Sequence, residues 1–356
     1  METVWVHIPS VGEYNTVKPL LELLKENNNR LVVTYSSPRA ENFLKEQKIP
    51  DEVLHLNILS LATGYFLNNF LKSYSPQVFI LVESDRYPAL LSVKVERKFI
   101  VNARISGQSF KFLRIFRGFY ARFFNTFDKI ICKDRESCAK FRSIGVNSKI
   151  LTPCGNLKAV FFPKAGSPPV LPKGFVLVAG STHKGEEEIL LSAFGEIKKR
   201  IPSAVLVIAP RHPQRAKEVL KIAKMKLPTF KTLLRSQVFN PHFKGDILIV
   251  DTLGELLGFY RIANVTFVGG SLVPLGGHNL LEPAYFGKPV MFGPFVEKFR
   301  DLEKLLKELG LAYPVKGVGD ITATVLRIHG KGVNPKGDLK EISERILECY
   351  KRELQL

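Results

Sequence analysis

Between Val268 and Pro294 the sequence reads VGGSLVPLGGHNLLEPAYFGKPVMFGP, with six glycines and four prolines set around His278, Asn279 and Glu282. Glycines of this density permit positive φ and let a ligand approach the main chain closely, which marks Gly270 and Gly277 as candidates. Asn279 is a good N-cap, and a helix starting there and running through LLEPAYFG would turn free N–H groups toward a phosphate. Glu282, one turn in, could accept both hydroxyls of a ribose. Asn279 with Glu282 also fits a plain capping pair, which leaves the paired glycines unexplained.

Two upstream segments carry related chemistry. VLVAGSTHKGEEEIL puts Ser181, Thr182 and His183 between a strand and a helix, where main-chain N–H groups bind anions. Ser181 or Thr182 could equally be a simple cap, with Glu186 to Glu188 favouring the first helical turn. VLVIAPRHPQRA ends a strand at Arg211 and His212. Arg211 could grip a phosphate or carboxylate through its planar fork, or be a surface residue in a turn set by Pro210 and Pro213. Near the N-terminus Glu13, in SVGEYN, follows the first strand and opens a helix, a position for a general base or for a carboxylate favoured only by the helix dipole. Glu83, in LVESDRYPAL, ends another strand.

Positioning these residues takes parallel sheets. Short apolar β-rich runs at 4–10, 30–36, 77–83, 98–104, 129–134 and 149–156 alternate with helical spacing, the pattern of a doubly wound domain. FFPKAGSPPVLPKG (161–174) has no period and reads as a linker. The pattern then restarts at 174–181, 204–212, 246–251, 265–271 and 289–294. The expectation is two α/β domains facing a cleft: 1–160, and 175–356 with a final helix at 337–354. Ligands in such sheets sit at the carboxyl ends of strands.

At 356 residues with 45% apolar and 24% charged content, the chain suits two globular cores and excludes disordered and fibrous classes. A net charge of +19 would attract phosphates, nucleic acid or an anionic membrane. Cys132, Cys138, Cys154 and Cys349 show neither CxxC pairing nor metal-ligand spacing and read as reduced, mostly buried thiols. No apolar run approaches the roughly 20 residues that span a bilayer. However, SFKFLRIFRGFYARFFNTF (109–127) mixes Lys111, Arg114, Arg117 and Arg122 with seven phenylalanines and no acid, as a helix lying on a membrane would, and 59–74 adds a second apolar stretch.

GGSLVPLGGHNLLEPAYFGKPVMFGP resembles the donor-binding signature of bacterial 3-deoxy-D-manno-octulosonic acid (Kdo) transferases, of the GT-B glycosyltransferase class. HIPSVGE (7–13), GNLK (155–158), AGSTHKGEE and APRHPQRA are similar to further family segments, in order along nearly the whole chain. The resemblance implies inverting transfer of Kdo from CMP-Kdo to the lipid A precursor at the cytoplasmic face of the inner membrane, with no metal or cofactor and no nucleic-acid partner. It implies Glu13 as general base, Glu83 as a second acidic residue that holds Arg104 or the acceptor, and Ser181, Thr182, His183, Arg211, His212, Gly270, Gly277, His278, Asn279 and Glu282 on the CMP side. Ser84-Asp85-Arg86-Tyr87 departs from the family pattern next to Glu83. Another GT-B transferase or a UDP-sugar epimerase is the alternative.

Overall fold

Strands apolar on both faces need cover on both sides, and helices supply it here. The computed structural model describes residues 1–56, 65–83, 88–163, 166, 170–239 and 242–355. They form two α/β units, Met1–Val160 with Ile342–Leu356, and Phe161–Glu341.

In the first unit β1 (Thr3–Ile8), β2 (Arg30–Tyr35), β3 (Glu52–His55), β4 (Val78–Val82), β5 (Arg97–Ala103), β6 (Lys129–Cys132) and β7 (Leu151–Pro153) make one parallel sheet, ordered β3-β2-β1-β4-β5-β6-β7. The order reverses between β1 and β4, and at such a reversal the carboxyl ends diverge and leave a crevice. Helix α1 (Val11–Glu26) starts there because Ser10 caps it, its Oγ accepting the Gly12 N–H at 3.2 Å. Val17, Leu20, Leu21 and Leu24 recur at helical spacing and are buried. On one side of the sheet Trp5 packs its ring 4.3 Å from Phe79 and 4.6 Å from Phe70, and its Nε1 donates to Thr34 Oγ1 at 2.8 Å.

The second unit repeats the design. β9 (Phe175–Thr182), β10 (Ala204–Pro210), β11 (Thr232–Leu234), β13 (Ile247–Ile249), β14 (Val265–Val268), β15 (Val290–Phe292) and β16 (Ala312–Pro314) form a parallel sheet ordered β11-β13-β10-β9-β14-β15-β16. Its reversal falls between β9 and β14. Leu190, Phe194 and Ile197 of the helix Glu186–Arg200 pack on one face with Ile208, Phe267 and Met291. A small pair, β8 (Leu171–Pro172) with β12 (His242–Phe243), draws the end of the expected linker 161–174 into this unit; residues 164–165 and 167–169 lie outside the described set.

Two expectations are corrected. The closing helix, Leu339–Leu354, belongs from Ile342 onward to the first unit, not the second. Its buried stripe Ile346, Tyr350 and Leu354 is matched by polar anchors: Ser343 Oγ donates to Ala159 O at 3.0 Å, Tyr350 Oη to Gly155 O at 3.1 Å, and Thr152 Oγ1 to Glu353 Oε2 at 3.0 Å. That docking also brings Cys154 and Cys349 to a Cα separation of 5.5 Å, within disulfide reach, and they are joined; only Cys132 and Cys138 are the buried free thiols expected of all four.

The basic aromatic stretch is two helices, Gly107–Ile115 and Arg117–Phe124, broken at Phe116. The break sorts its rings. Leu113, Tyr120, Phe124 and Phe127 enter the core, while Phe112, Ile115, Phe116 and Phe119 stay exposed beside Lys111, Arg114 and Arg117. Of the second apolar stretch the helix Tyr65–Tyr74 is described, and 57–64 lie outside the described residues. Among the described residues no helix is long and apolar enough to cross a membrane.

Candidate active site

Both strand-order reversals carry the residues singled out by type. In the first unit the β1 end delivers Ser10 and Glu13, with the Ser10 hydroxyl donating to Glu13 Oε2. This bond orients the carboxylate, which remains partly exposed past the carboxyl end of β1. His7, earlier in the same motif, is fully buried with Nδ1 3.0 Å from Thr34 Oγ1, and burial pushes its pKa down to about 3, so it is a neutral core group.

Glu83, just past β4, is buried and left-handed, at φ 54°. Its Oε1 accepts from Asn102 Nδ2 at 2.5 Å and its Oε2 lies 2.8 Å from Arg104 Nε, the partner offered for it by the sequence. The departing segment 84–87 lies outside the described residues.

In the second unit the β9 and β14 ends meet through a carboxylate that the sequence offered only as a first-turn helix acid. Glu186, fully buried, accepts four main-chain N–H groups: His183 at 2.9 Å, Gly270 at 2.8 Å, Ser271 at 3.0 Å and Leu272 at 2.9 Å. Burial pushes its carboxyl above the usual range, and the four donors oppose that push. The N–H groups of His183, Gly270, Ser271 and Leu272 are therefore occupied by a protein carboxylate. Glu187 is likewise buried, pairing with Arg215 at 2.8 Å and accepting from Thr182 Oγ1 at 3.0 Å, so Thr182 braces the loop. Consecutive acids at one helix start were the available signal; that two would turn inward depends on partners distant in sequence.

The glycines answer mainly to packing. A Cβ on Gly269 would lie 2.2 Å from Ser181 O, because the β9 and β14 ends touch there. Gly270, at φ 67°, lies against the His278 ring, and Gly277, at φ 78°, against Val296 and Phe295 O. Ser181 is itself left-handed at φ 54°. The helix after Asn279 is shorter than expected, only Leu281–Ala284, with Asn279 Oδ1 accepting from Leu281 N at 3.1 Å. Pro283 and the turn at Gly287 end the helix after a single turn, which leaves no long dipole to aim at a phosphate.

What gathers at this edge is a set of imidazoles and cations. His183 and His278 stack with centroids 5.1 Å apart and an Nε2–Nε2 distance of 2.8 Å, so one ring must donate and the other accept. Burial, then His212, Arg215 and Arg211, lower the His183 pKa. The Arg211 N–H donates to Thr182 O at 3.0 Å, which fixes the Arg211 main chain against β9 while its side chain and that of His212 stay exposed.

Glu282 lies close enough to Arg211 for that cation to oppose its shift, yet burial still raises its pKa to about 7. A folded pKa above the unfolded value means the native state holds this proton more tightly, so stability is full below about 4.5 and is lost as pH rises through about 7. Thermal midpoints should therefore decline over that window, and Glu282→Gln should flatten the decline; an unchanged slope would show another group to be responsible.

Two doubly wound α/β units define the two-domain GT-B class. A solved structure described as a putative UDP-N-acetylglucosamine 2-epimerase from Listeria monocytogenes shares this fold, with a TM-score of 0.55 at 15% identity, covering 99% of this chain and 96% of that one. Residues 1–161 match the family model described as 3-Deoxy-D-manno-octulosonic-acid transferase (kdotransferase). The 3-deoxy-D-manno-octulosonic acid transferase of Aquifex aeolicus is 34% identical over 352 residues, 99% of this chain and 92% of its own. That of Rickettsia prowazekii is 30% identical over 333 residues, 90% and 71% of the two chains. The chain belongs to the 3-deoxy-D-manno-octulosonic acid transferase family and is a Kdo glycosyltransferase.

Proposed function

We propose that this chain moves Kdo from CMP-Kdo to the lipid A precursor lipid IVA, with inversion and with Glu13 as general base, at the cytoplasmic face of the inner membrane. The observation that carries the reading is Glu13 itself: a partly exposed carboxylate oriented by Ser10 past the carboxyl end of β1, in a chain of this family. As an acceptor hydroxyl attacks the anomeric carbon, Glu13 takes its proton while the bond from that carbon to the CMP phosphate oxygen breaks. Arg211 meets the charge left on the phosphate, Glu282 as a carboxylate accepts the ribose hydroxyls, and the His183–His278 pair with Ser181 and Asn279 lines the nucleotide. Arg104, held by Glu83, orients the acceptor. Arg211 supplies positive charge at the phosphate, so we read the transfer as independent of metal and cofactor.

Incubation with radiolabelled CMP-Kdo and lipid IVA should yield labelled lipid at the same rate with or without chelator. Turnover of a UDP-sugar in place of CMP-Kdo would sink the proposal, and a chelator-sensitive rate its metal-independent part.

The exposed Phe112, Ile115, Phe116 and Phe119, among cations, suit an anionic membrane surface. Joint replacement of Phe116 and Phe119 by serine is expected to release the protein from phosphatidylglycerol vesicles in a flotation assay with folding intact. Undiminished flotation would assign membrane contact elsewhere.

A further inference from the structure

We infer that Asn102 is a positioning residue for transfer, fixing the Glu83–Arg104 pair and joining it to Tyr350 of the closing helix. The inference rests on the reading of that pair as part of the acceptor edge.

Asn102 is fully buried in the carboxyl end of β5, and three of its polar groups are engaged. Its Nδ2 donates to Glu83 Oε1 at 2.5 Å, its Oδ1 accepts from Leu157 N at 3.0 Å, and its main-chain N–H donates to Tyr350 Oη at 3.2 Å. Tyr350 passes its own proton on to Gly155 O at 3.1 Å. A core asparagine with these partners could serve folding alone. The main chain argues for more. Asn102 is left-handed at φ 50°, and Glu83, whose N–H donates to Val101 O at 3.1 Å, is left-handed beside it. The β5–β6 register breaks between Ile100 and Ala103, so an irregularity lifts Asn102 out of the ladder. Two adjacent non-glycine residues in this conformation at a strand edge are the kind of strain that gathers at functional sites.

The mechanical consequence is specific. The Arg104 side chain is 42% exposed and finds its fixed partner in Glu83, whose side chain is 5% exposed. The Glu83 carboxylate is in turn aimed by a charge-assisted hydrogen bond from Asn102. Losing that bond frees both charges to turn. Leu157 and Gly155 immediately precede the passage of the chain into the second unit, and Tyr350 lies on the helix that returns, so Asn102 ties both crossings to the Glu83–Arg104 pair within the first unit.

The test compares Asn102→Gly, which tolerates the left-handed φ but removes the amide, with Asn102→Asp, Tyr350→Phe and Glu83→Gln in the full chain. Asn102→Gly should lower kcat about 10- to 100-fold, the scale of a misplaced reacting group, with CMP affinity unchanged. Asn102→Asp should be weak at neutral pH and recover as pH falls, because a proton shared by the two carboxyls restores a donor to Glu83; the charged or titratable neighbours there are Arg104, Tyr350, Cys132 and Cys138. Tyr350→Phe should fall in between. Acid recovery of kcat per folded enzyme is not expected of an asparagine that serves folding alone. Wild-type kcat in Asn102→Gly, where Glu83→Gln is inactive, overturns the inference alone. Full activity in Glu83→Gln overturns the reading beneath it as well.

Discussion

Glu13→Ala is expected to reduce Kdo transfer by about 10²- to 10⁴-fold, the usual contribution of a positioned general base. Folding should survive, since Ser10 still caps α1 through the Gly12 N–H, and the lost first-turn carboxylate costs at most about 1 kcal/mol. CMP affinity should stay near normal, because the proposed CMP residues all lie in the second unit. Glu13→Gln sharpens the result. An amide can still accept from Ser10 but cannot take the acceptor proton, so this variant should be as inactive as the alanine. Activity in the glutamine variant alone would make Glu13 a structural acceptor, and activity in both would move the base elsewhere.

The second large effect concerns folding of the second unit. Glu186→Ala leaves the N–H groups of His183, Gly270, Ser271 and Leu272 without their acceptor. Each orphaned buried donor costs roughly 1–3 kcal/mol, so the loss should exceed about 3 kcal/mol even if water reaches one of them. A glutamate serving only the helix dipole would be worth about 0.3–1 kcal/mol, and the difference is easily measured by thermal denaturation. Glu186→Gln should be intermediate. Oε1 receives Ser271 and Leu272 while Oε2 receives His183 and Gly270, and an amide can replace one of these oxygens only. CMP binding should fall in step with stability, since the brace holds the β9 and β14 ends together. A midpoint unmoved in Glu186→Ala would refute the brace.

Much of the architecture was legible in the residues. Apolar runs such as QVFILVE and AVLVIAPRH can be covered on both faces only in a parallel sheet, and their alternation with helical spacing places Glu13, Glu83, His183 and Arg211 at carboxyl ends. The glycines of 268–294 were conspicuous, but their cause was not. Gly269 is required by the oxygen of Ser181, some ninety positions earlier, and a contact of that kind leaves no local pattern. The sequence after Asn279 suits a long helix and a single turn alike, because Asn and Glu can start either, and only the turn forms. The final helix shows a clear apolar stripe, and a stripe says that a face is buried without saying against which sheet.

By itself the sequence determined what local spacing and composition can determine: two doubly wound domains, the family, and the short segments that carry Glu13, Glu83, His183, Arg211, His278 and Glu282. Tertiary structure alone decided that Glu186 and Glu187 turn inward, that Cys154 finds Cys349, and that Glu83, Asn102 and Tyr350 form one chain of hydrogen bonds. Each of these joins residues separated by tens to hundreds of positions, and an unpaired polar group looks the same in sequence whether water or a distant main chain will satisfy it.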